Sequence, residues 1–237
     1  EIYLRFTDMV EPFSIDESWL DVTGSLKLFG TGKEIGDRIR ELVREELGLT
    51  LSVGVSFNKV FAKMGSDYKK PDATTIISRD NYRNILWPLP VGELFFVGQA
   101  TADKLHQMGI LTIGQLAQSQ PQVLTAVFGK HGQQMYEYAN GLEDSPVARY
   151  DEREEAKSVG NGITFRRNLE GEKDIAVAVT ALSDRVATRL RAHHVKCGGV
   201  KVDIKDPMFH TISRQKQLDR PTNTAGEIRD AVMDLIR

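Results

Sequence analysis

Residues 53–71 read Val-Gly-Val-Ser-Phe-Asn-Lys-Val-Phe-Ala-Lys-Met-Gly-Ser-Asp-Tyr-Lys-Lys-Pro, a strand running straight into a helix. The short Val- and Leu-rich run from Thr50 to Ser56 predicts a buried strand. Asn58 offers a side-chain oxygen to the backbone N–H groups that open a helix, which is expected to continue to about Lys69 and to stop at Pro71. Along it Lys59, Lys63 and Asp67 recur every fourth residue and share a face, with Lys70 near its end. Val60, Phe61, Met64 and Tyr68 are expected to fill the opposite, buried face. Such a basic stripe has two readings. It is a set of ordinary surface pairs worth about 0.2–0.5 kcal/mol each, or it is a place for a polyphosphate.

Upstream, Pro12-Phe13-Ser14-Ile15 and Trp19-Leu20-Asp21-Val22-Thr23 alternate as a half-buried hairpin does, with Asp16-Glu17-Ser18 at the tip. Adjacent carboxylates at a tip escape the alternation of a strand, so Asp16 and Glu17 are able to face one site, while Asp21 lies farther along. Oxygen clusters of this kind suit Mg²⁺, and in two-metal sites they serve phosphoryl transfer. Turns favour Asp on their own account, however, and the pair alone decides nothing. Between hairpin and strand, Ile35, Ile39, Leu42, Val43 and Leu47 repeat at the helical period from Thr31 onward, and Gly48 closes the helix. Thr74–Ser78 reads as a strand and Asn81–Leu86 as a short helix.

Trp87-Pro88-Leu89-Pro90 resists helix and marks a boundary. Short helices are expected beyond it at Glu93–Val97, Thr101–Met108 and Ile113–Ala117, then from Pro121 to Gly141. Gly98 between two of them suggests a helix-hairpin-helix, whose second helix would offer backbone N–H groups around Gly98 and Ala100 to a phosphate. Phe96 stands where such a motif usually has another Gly. Val147–Ala156 is poor in apolar residues and reads as an exposed tether. Then come strand Ser158–Phe165, helix Asp174–His194, strands Val200–Lys205 and Phe209–Gln215, and helix Asn223–Ile236. This βαββα order implies a small α+β sandwich.

With 237 residues, 41% of them hydrophobic, the chain is that of a globular protein. Its apolar runs of four or five residues, such as Leu94-Phe95-Phe96-Val97, fall far short of the ~20 that cross a bilayer, and no signal peptide is present. The lone Cys197 allows no internal disulfide and no Cys-pair zinc site, which fits a reducing cytoplasm. The net charge of −2 hides a sorting along the chain. Residues 157–220 hold 13 Lys and Arg against 7 Asp and Glu, which suits a segment facing a polyanion.

Taken together, Ser14-Ile15-Asp16-Glu17-Ser18-Trp19-Leu20-Asp21, the Val53–Met64 run, Ser66-Asp67 and Lys70-Pro71 resemble the palm of Y-family lesion-bypass DNA polymerases. Thr101-Ala102-Asp103-Lys104-Leu105, Ala139-Asn140-Gly141 and Ser145-Pro146-Val147 are similar to the family's thumb, and Lys157-Ser158-Val159-Gly160-Asn161 with the βαββα segment to its little finger. The resemblance implies an α+β, multidomain chain: partial palm 1–90, helix-hairpin-helix thumb 91–146, linker 147–156 and truncated little finger 157–237. It implies template-directed nucleotide addition with two Mg²⁺ ions, on primer-template DNA and an incoming deoxynucleoside triphosphate, by a cytoplasmic monomer with no membrane contact. It leaves open whether a sliding clamp recruits the protein. Asp16 and Glu17 are implied as catalytic metal ligands. Lys70 and, with it, Lys63 are implied at the triphosphate, and Lys59 matches a further basic position. Gly98 and Ala100, and on the other side Lys157, Ser158, Arg166 and Arg167, are implied along the DNA backbone.

The family's first metal-binding Asp, its guard against ribonucleotides and its fingers lie upstream of the residues matched. The chain also opens at Glu1 without a Met, and is therefore expected to be a fragment without polymerase activity of its own. Two rival readings remain, a non-catalytic DNA-binding repair scaffold and a carboxylate-metal nuclease. The nuclease reading leaves the basic Asn58–Pro71 face without a purpose.

Overall fold

The computed structural model describes residues 1–152 and 157–237. Two compact units divide the chain, Glu1–Arg153 and Glu154–Arg237.

In the first unit, β1 (Val10–Pro12) and β2 (Ser18–Leu20) pair antiparallel, Val10 opposite Leu20 and Pro12 opposite Ser18. This is the expected hairpin, with its strands starting a little earlier and a tip that runs from Phe13 to Glu17. A single turn, α1 (Leu26–Phe29), leads to α2 (Gly32–Leu47). Thr31 and Glu34 cap α2 reciprocally, and Gly48 ends it at φ 66°, a left-handed conformation that glycine adopts without a Cβ clash. Ile35, Ile39 and Val43 bury against Ile2 and Phe6. Leu47, 59% exposed, falls outside that core although it keeps the period.

Next come β3 (Val53–Ser56), α3 (Lys59–Tyr68) and β4 (Thr74–Ile77), a βαβ unit whose parallel strands run in register from Val53 beside Thr74 to Ser56 beside Ile77. Strand and helix backbones nearly touch. A Cβ on Gly54 would lie 1.8 Å from the Ala62 carbonyl oxygen, and one on Gly65 would lie 3.0 Å from the Gly54 Cα. Asn58 caps α3 by accepting from the Phe61 N–H at 2.8 Å. Val60, Phe61 and Met64 are buried as expected, but Tyr68 is 42% exposed, because the last turn of α3 runs past the core.

The chain continues through α4 (Tyr82–Leu86), α5 (Gln99–Gln107), α6 (Ile113–Ala117), α7 (Pro121–Phe128) and α8 (Lys130–Ala139). Gly129 at φ 62° divides α7 from α8, so the stretch from Pro121 continues the expected pattern of short helices. No helix forms over Glu93–Val97. A 3-10 turn covers Val91–Glu93, and a loop follows in which Phe96 sits at φ 69°. Leu94 and Val97 both reach the core, 1% and 7% exposed, so their three-residue spacing imitates a helix while the left-handed residue between them breaks one. Phe61, Ile77 and Leu86 share a single core with Leu94, Leu105, Leu116 and Met135, so residues on both sides of Pro90 pack together. Nor is 147–152 a free tether. The Ala148 N–H donates to Glu11 at 2.8 Å, the Tyr150 N–H to the Asp8 carbonyl at 3.0 Å, and Arg149 pairs with Asp8 at 2.9 Å. The remainder of the expected linker, 153–156, lies outside the described residues.

The second unit holds α9 (Gly171–Ala192), β5 (Cys197–Lys205), β6 (Thr211–Thr222) and α10 (Ala225–Ile236). The strands pair antiparallel from Gly199 beside Gln217 to Lys205 beside Thr211, and Val200 buries with Ala187, Leu190, Ile228 and Ala231. The strand expected over Ser158–Phe165 is absent. Gly160 and Gly162 weaken it. Val159 alone of that stretch packs on the core, and Arg189 holds the Gly160 carbonyl at 2.7 Å. The observed order is αββα, within the α+β class that was expected.

Candidate active site

The hairpin tip is closed by the Phe13 and Ser14 N–H groups, which donate to the Glu17 carbonyl at 2.9 and 3.2 Å. Beyond this closure stand the two carboxylates. Ser14 Oγ donates to Asp16 Oδ1 at 2.8 Å, and Lys63 Nζ donates to Glu17 Oε1 at 2.8 Å. One oxygen of each carboxylate is thus held, and among the described residues the other accepts no hydrogen bond. Asp21 does turn elsewhere, accepting from the Thr23 N–H at 2.9 Å. The hairpin is seated on α3 by Trp19, whose indole N–H donates to the Lys59 carbonyl at 2.9 Å.

Four groups of alternating sign run from the hairpin tip along α3 to just past its end. Glu17, Lys63, Asp67 and Lys70 are linked by ion pairs of 2.8, 2.8 and 2.7 Å. Lys63 is only 15% exposed, and Lys70 is 57% exposed. Burial disfavours the Lys63 ammonium, yet hydrogen bonds to Asp67 and Glu17 outweigh it and raise its pKa. At Asp67 burial pushes the other way from its partners, and Lys63 and Lys70 prevail to hold the carboxyl below its ordinary value. Asp16, Glu17, Lys63, Ser66 and Lys70 line one cavity of about 490 Å³. The structure therefore brings together the four residues expected at metal and nucleotide. Lys59 is not among them, since its ammonium is tied to Glu11 at 2.5 Å and lies 5.4 Å from the centre of the Trp19 ring.

At the start of α5, Gly98 is exposed and extended, at φ −79° and ψ 168°, with no side-chain cap. Thr101 and Ala102 N–H groups return to the Gly98 carbonyl at 3.0 Å. Those of Gln99 and Ala100 are left without a partner among the described residues. Phe96 keeps the left-handed backbone expected of a glycine, and its ring packs 4.1 Å from that of Phe95. Phe13 and Phe95, 5.6 Å apart between ring centres, join the carboxylate hairpin to this loop, a contact that sequence reasoning missed. The only trace it left in the sequence is a local density of aromatics. In the second unit Lys157, Ser158, Arg166 and Arg167 are exposed. Arg167 pairs with Asp174 at 2.5 Å, and Arg166 has no ion pair among the described residues.

Comparison with known proteins agrees along the whole chain. The impB/mucB/samB family matches residues 1–67, that family's C-terminal domain matches 156–237, and the "DNA polymerase-iota, thumb domain" family matches 93–143. A protein named DNA polymerase IV from Acetivibrio thermocellus is 44% identical over 235 residues, covering 99% of this chain and 59% of its own length. Another from Moorella thermoacetica is 39% identical over 231 residues, covering 98% and 58%. This chain belongs to the Y-family of DNA polymerases. It spans about three fifths of the length of these curated relatives. The Y-family fold itself recurs in a solved chimera of the Dbh and Dpo4 polymerases, with a TM-score of 0.86 at 23% identity over 99% of this chain and 66% of that one. An insertion ternary complex of Dbh DNA polymerase aligns with a TM-score of 0.61 at 22% identity, over 100% and 67%. On this Y-family chain Asp16, Glu17 and Lys63 fall inside the first family match, and Gly98 and Ala100 inside the thumb match.

Proposed function

We propose that this chain works in a template-directed, lesion-bypass DNA polymerase that joins an incoming deoxynucleoside triphosphate to a primer 3′-hydroxyl. The observation that carries the reading is the shared cavity, where two adjacent carboxylates on a hairpin tip stand beside Lys63 and Lys70 of one helix end. The relatives named DNA polymerase IV support it. Mg²⁺ suits the donor set, because Asp16 and Glu17 offer hard oxygens and each keeps one oxygen free of hydrogen bonds among the described residues. Asp16 and Glu17 would hold it. Among the described residues no group of three His, Cys, Asp or Glu gathers, so the pair supplies part of a two-ion site. The chemistry a bound divalent ion supplies is neutralisation of the attacking and leaving oxygens in an in-line displacement at the α-phosphate.

The chain's own residues divide the remaining work. Lys70 neutralises the triphosphate, and Asp67 releases it cheaply, since an exposed pair is worth at most about 1 kcal/mol. The free N–H groups of Gln99 and Ala100, behind Gly98, hold a backbone phosphate without reading sequence. Lys157, Ser158, Arg166 and Arg167 lie along the duplex. Residues 1–90 serve as palm, 91–146 as thumb and 157–237 as little finger. In the full-length protein, Asp16→Ala is expected to abolish primer extension while primer-template binding, read by fluorescence anisotropy, is largely retained. Extension that survives would favour the scaffold reading. Degradation of DNA without nucleotides would favour the nuclease.

A further inference from the structure

The ammonium of Lys63 is already spoken for. It is 15% exposed and donates at 2.8 Å to Glu17 Oε1 and at 2.8 Å to Asp67 Oδ2, so two of its three N–H donors are used on carboxylates. A phosphate could reach it only by displacing one of them. Lys70 is 57% exposed and among the described residues pairs with Asp67 alone, at 2.7 Å, so it turns to a phosphate by giving up a single surface pair. Glu17, in turn, has no hydrogen bond to its carboxylate besides that from Lys63 among the described residues. Two adjacent carboxylates repel, and the cation nearest to them is the one that fixes a single oxygen of one of them.

We propose that Lys63 is a positioning residue that acts through Glu17, holding Oε1 and leaving Oε2 available at the cavity, and that it makes no contact with the nucleotide. Asp67 anchors Lys63 from its other side, and the short step from β3 to α3 at Gly54 and Gly65 fixes the height at which the ammonium meets the hairpin. The inference rests on the polymerase reading only for its kinetic consequences, because the Lys63–Glu17 pair exists without it.

The test has a spectroscopic arm and a kinetic arm. In the 237-residue chain labelled with ¹⁵N, the Lys63 Nζ resonance is expected to shift on Glu17→Gln. A resonance unmoved by that substitution overturns the proposal whether or not the protein polymerises. In the full-length protein, Lys63→Met is expected to lower kcat about 10- to 100-fold, as loss of a group that orients a metal ligand does. The nucleotide Kd, measured on a dideoxy-terminated primer, should stay within about twofold. Lys63→Arg should recover part of kcat. The double variant Glu17→Gln/Lys63→Met should be no more than about twofold worse than Glu17→Gln, since residues acting as one unit are not additive. A raised nucleotide Kd with kcat kept, matching Lys70→Met, would overturn the proposal, as would effects that multiply in the double variant. Circular dichroism checks that each variant folds, and Lys63→Arg keeps the test open if Lys63→Met does not. A wild-type protein that extends no primer would overturn the polymerase reading and leave the spectroscopic result standing.

Discussion

On α3 and just past its end the lysines beside the hairpin are all paired: Lys59 with Glu11, Lys63 with Glu17 and Asp67, Lys70 with Asp67. In the C-terminal unit Arg166, Lys173, Arg185, Lys196 and Arg220 have neither an ion pair nor a hydrogen bond from their side chains among the described residues. A paired cation is held in place and supports geometry. A solvated, unpaired one meets a phosphate without first breaking a protein contact, and it meets any phosphate equally well. On the proposed function, the same residue types would serve chemistry in one region and a sequence-blind grip in the other.

The largest expected effect comes from disturbing the frame that keeps the fixed charges aligned. Gly54→Ala places a Cβ 1.8 Å from the Ala62 carbonyl oxygen, and the chain is expected to lose on the order of 3 kcal/mol or more in urea denaturation. A midpoint like that of the wild type would mean that strand and helix are free to separate, and the contrast would collapse. Arg166→Ala combined with Arg220→Ala leaves the fold intact and addresses the free charges. The slope of log affinity for primer-template against log salt should shrink by about 0.9 for each phosphate that the protein no longer neutralises. An unchanged slope would show that these arginines touch no phosphate.

The smallest effect concerns a fixed charge alone. The Asp67 carboxyl is held below its ordinary value, so it stabilises the chain above about pH 4 and loses that contribution as pH falls through its depressed pKa. Asp67→Asn should therefore cost a constant amount under about 1 kcal/mol between pH 6 and 8, and the difference from wild type should vanish in strong acid. A difference that persists in acid would assign Asp67 a role other than its charge.

What the sequence revealed follows the reach of the forces involved. Asn58 and Gly48 announce helix ends because a cap is a bond between neighbours. The basic face of α3 was legible through its spacing, and the carboxylates joined it as one site only through the family resemblance. The partner of Lys59 stayed hidden because Glu11 is 48 residues away, a pairing that no local pattern encodes. Ser158–Phe165 alternates well enough to be read as a strand, but a strand needs a neighbour, and β5 and β6 pair with each other. Phe96 was hardest to place, since a bulky residue at positive φ contradicts its own preference and is held there by packing on Phe95.

The contact of Gly54 with Gly65 also has a bearing on repair by design. With backbone against backbone, α3 has no side chain at that point to shorten or swap, so repacking cannot slide the helix or roll it about its axis. The spacing of α3 from β3 is consequently a fixed gauge, and toward the hairpin the dimension open to substitution is the length of the side chain at position 63. Anyone wishing to retune the carboxylate pair would have to do it in increments of a methylene at Lys63.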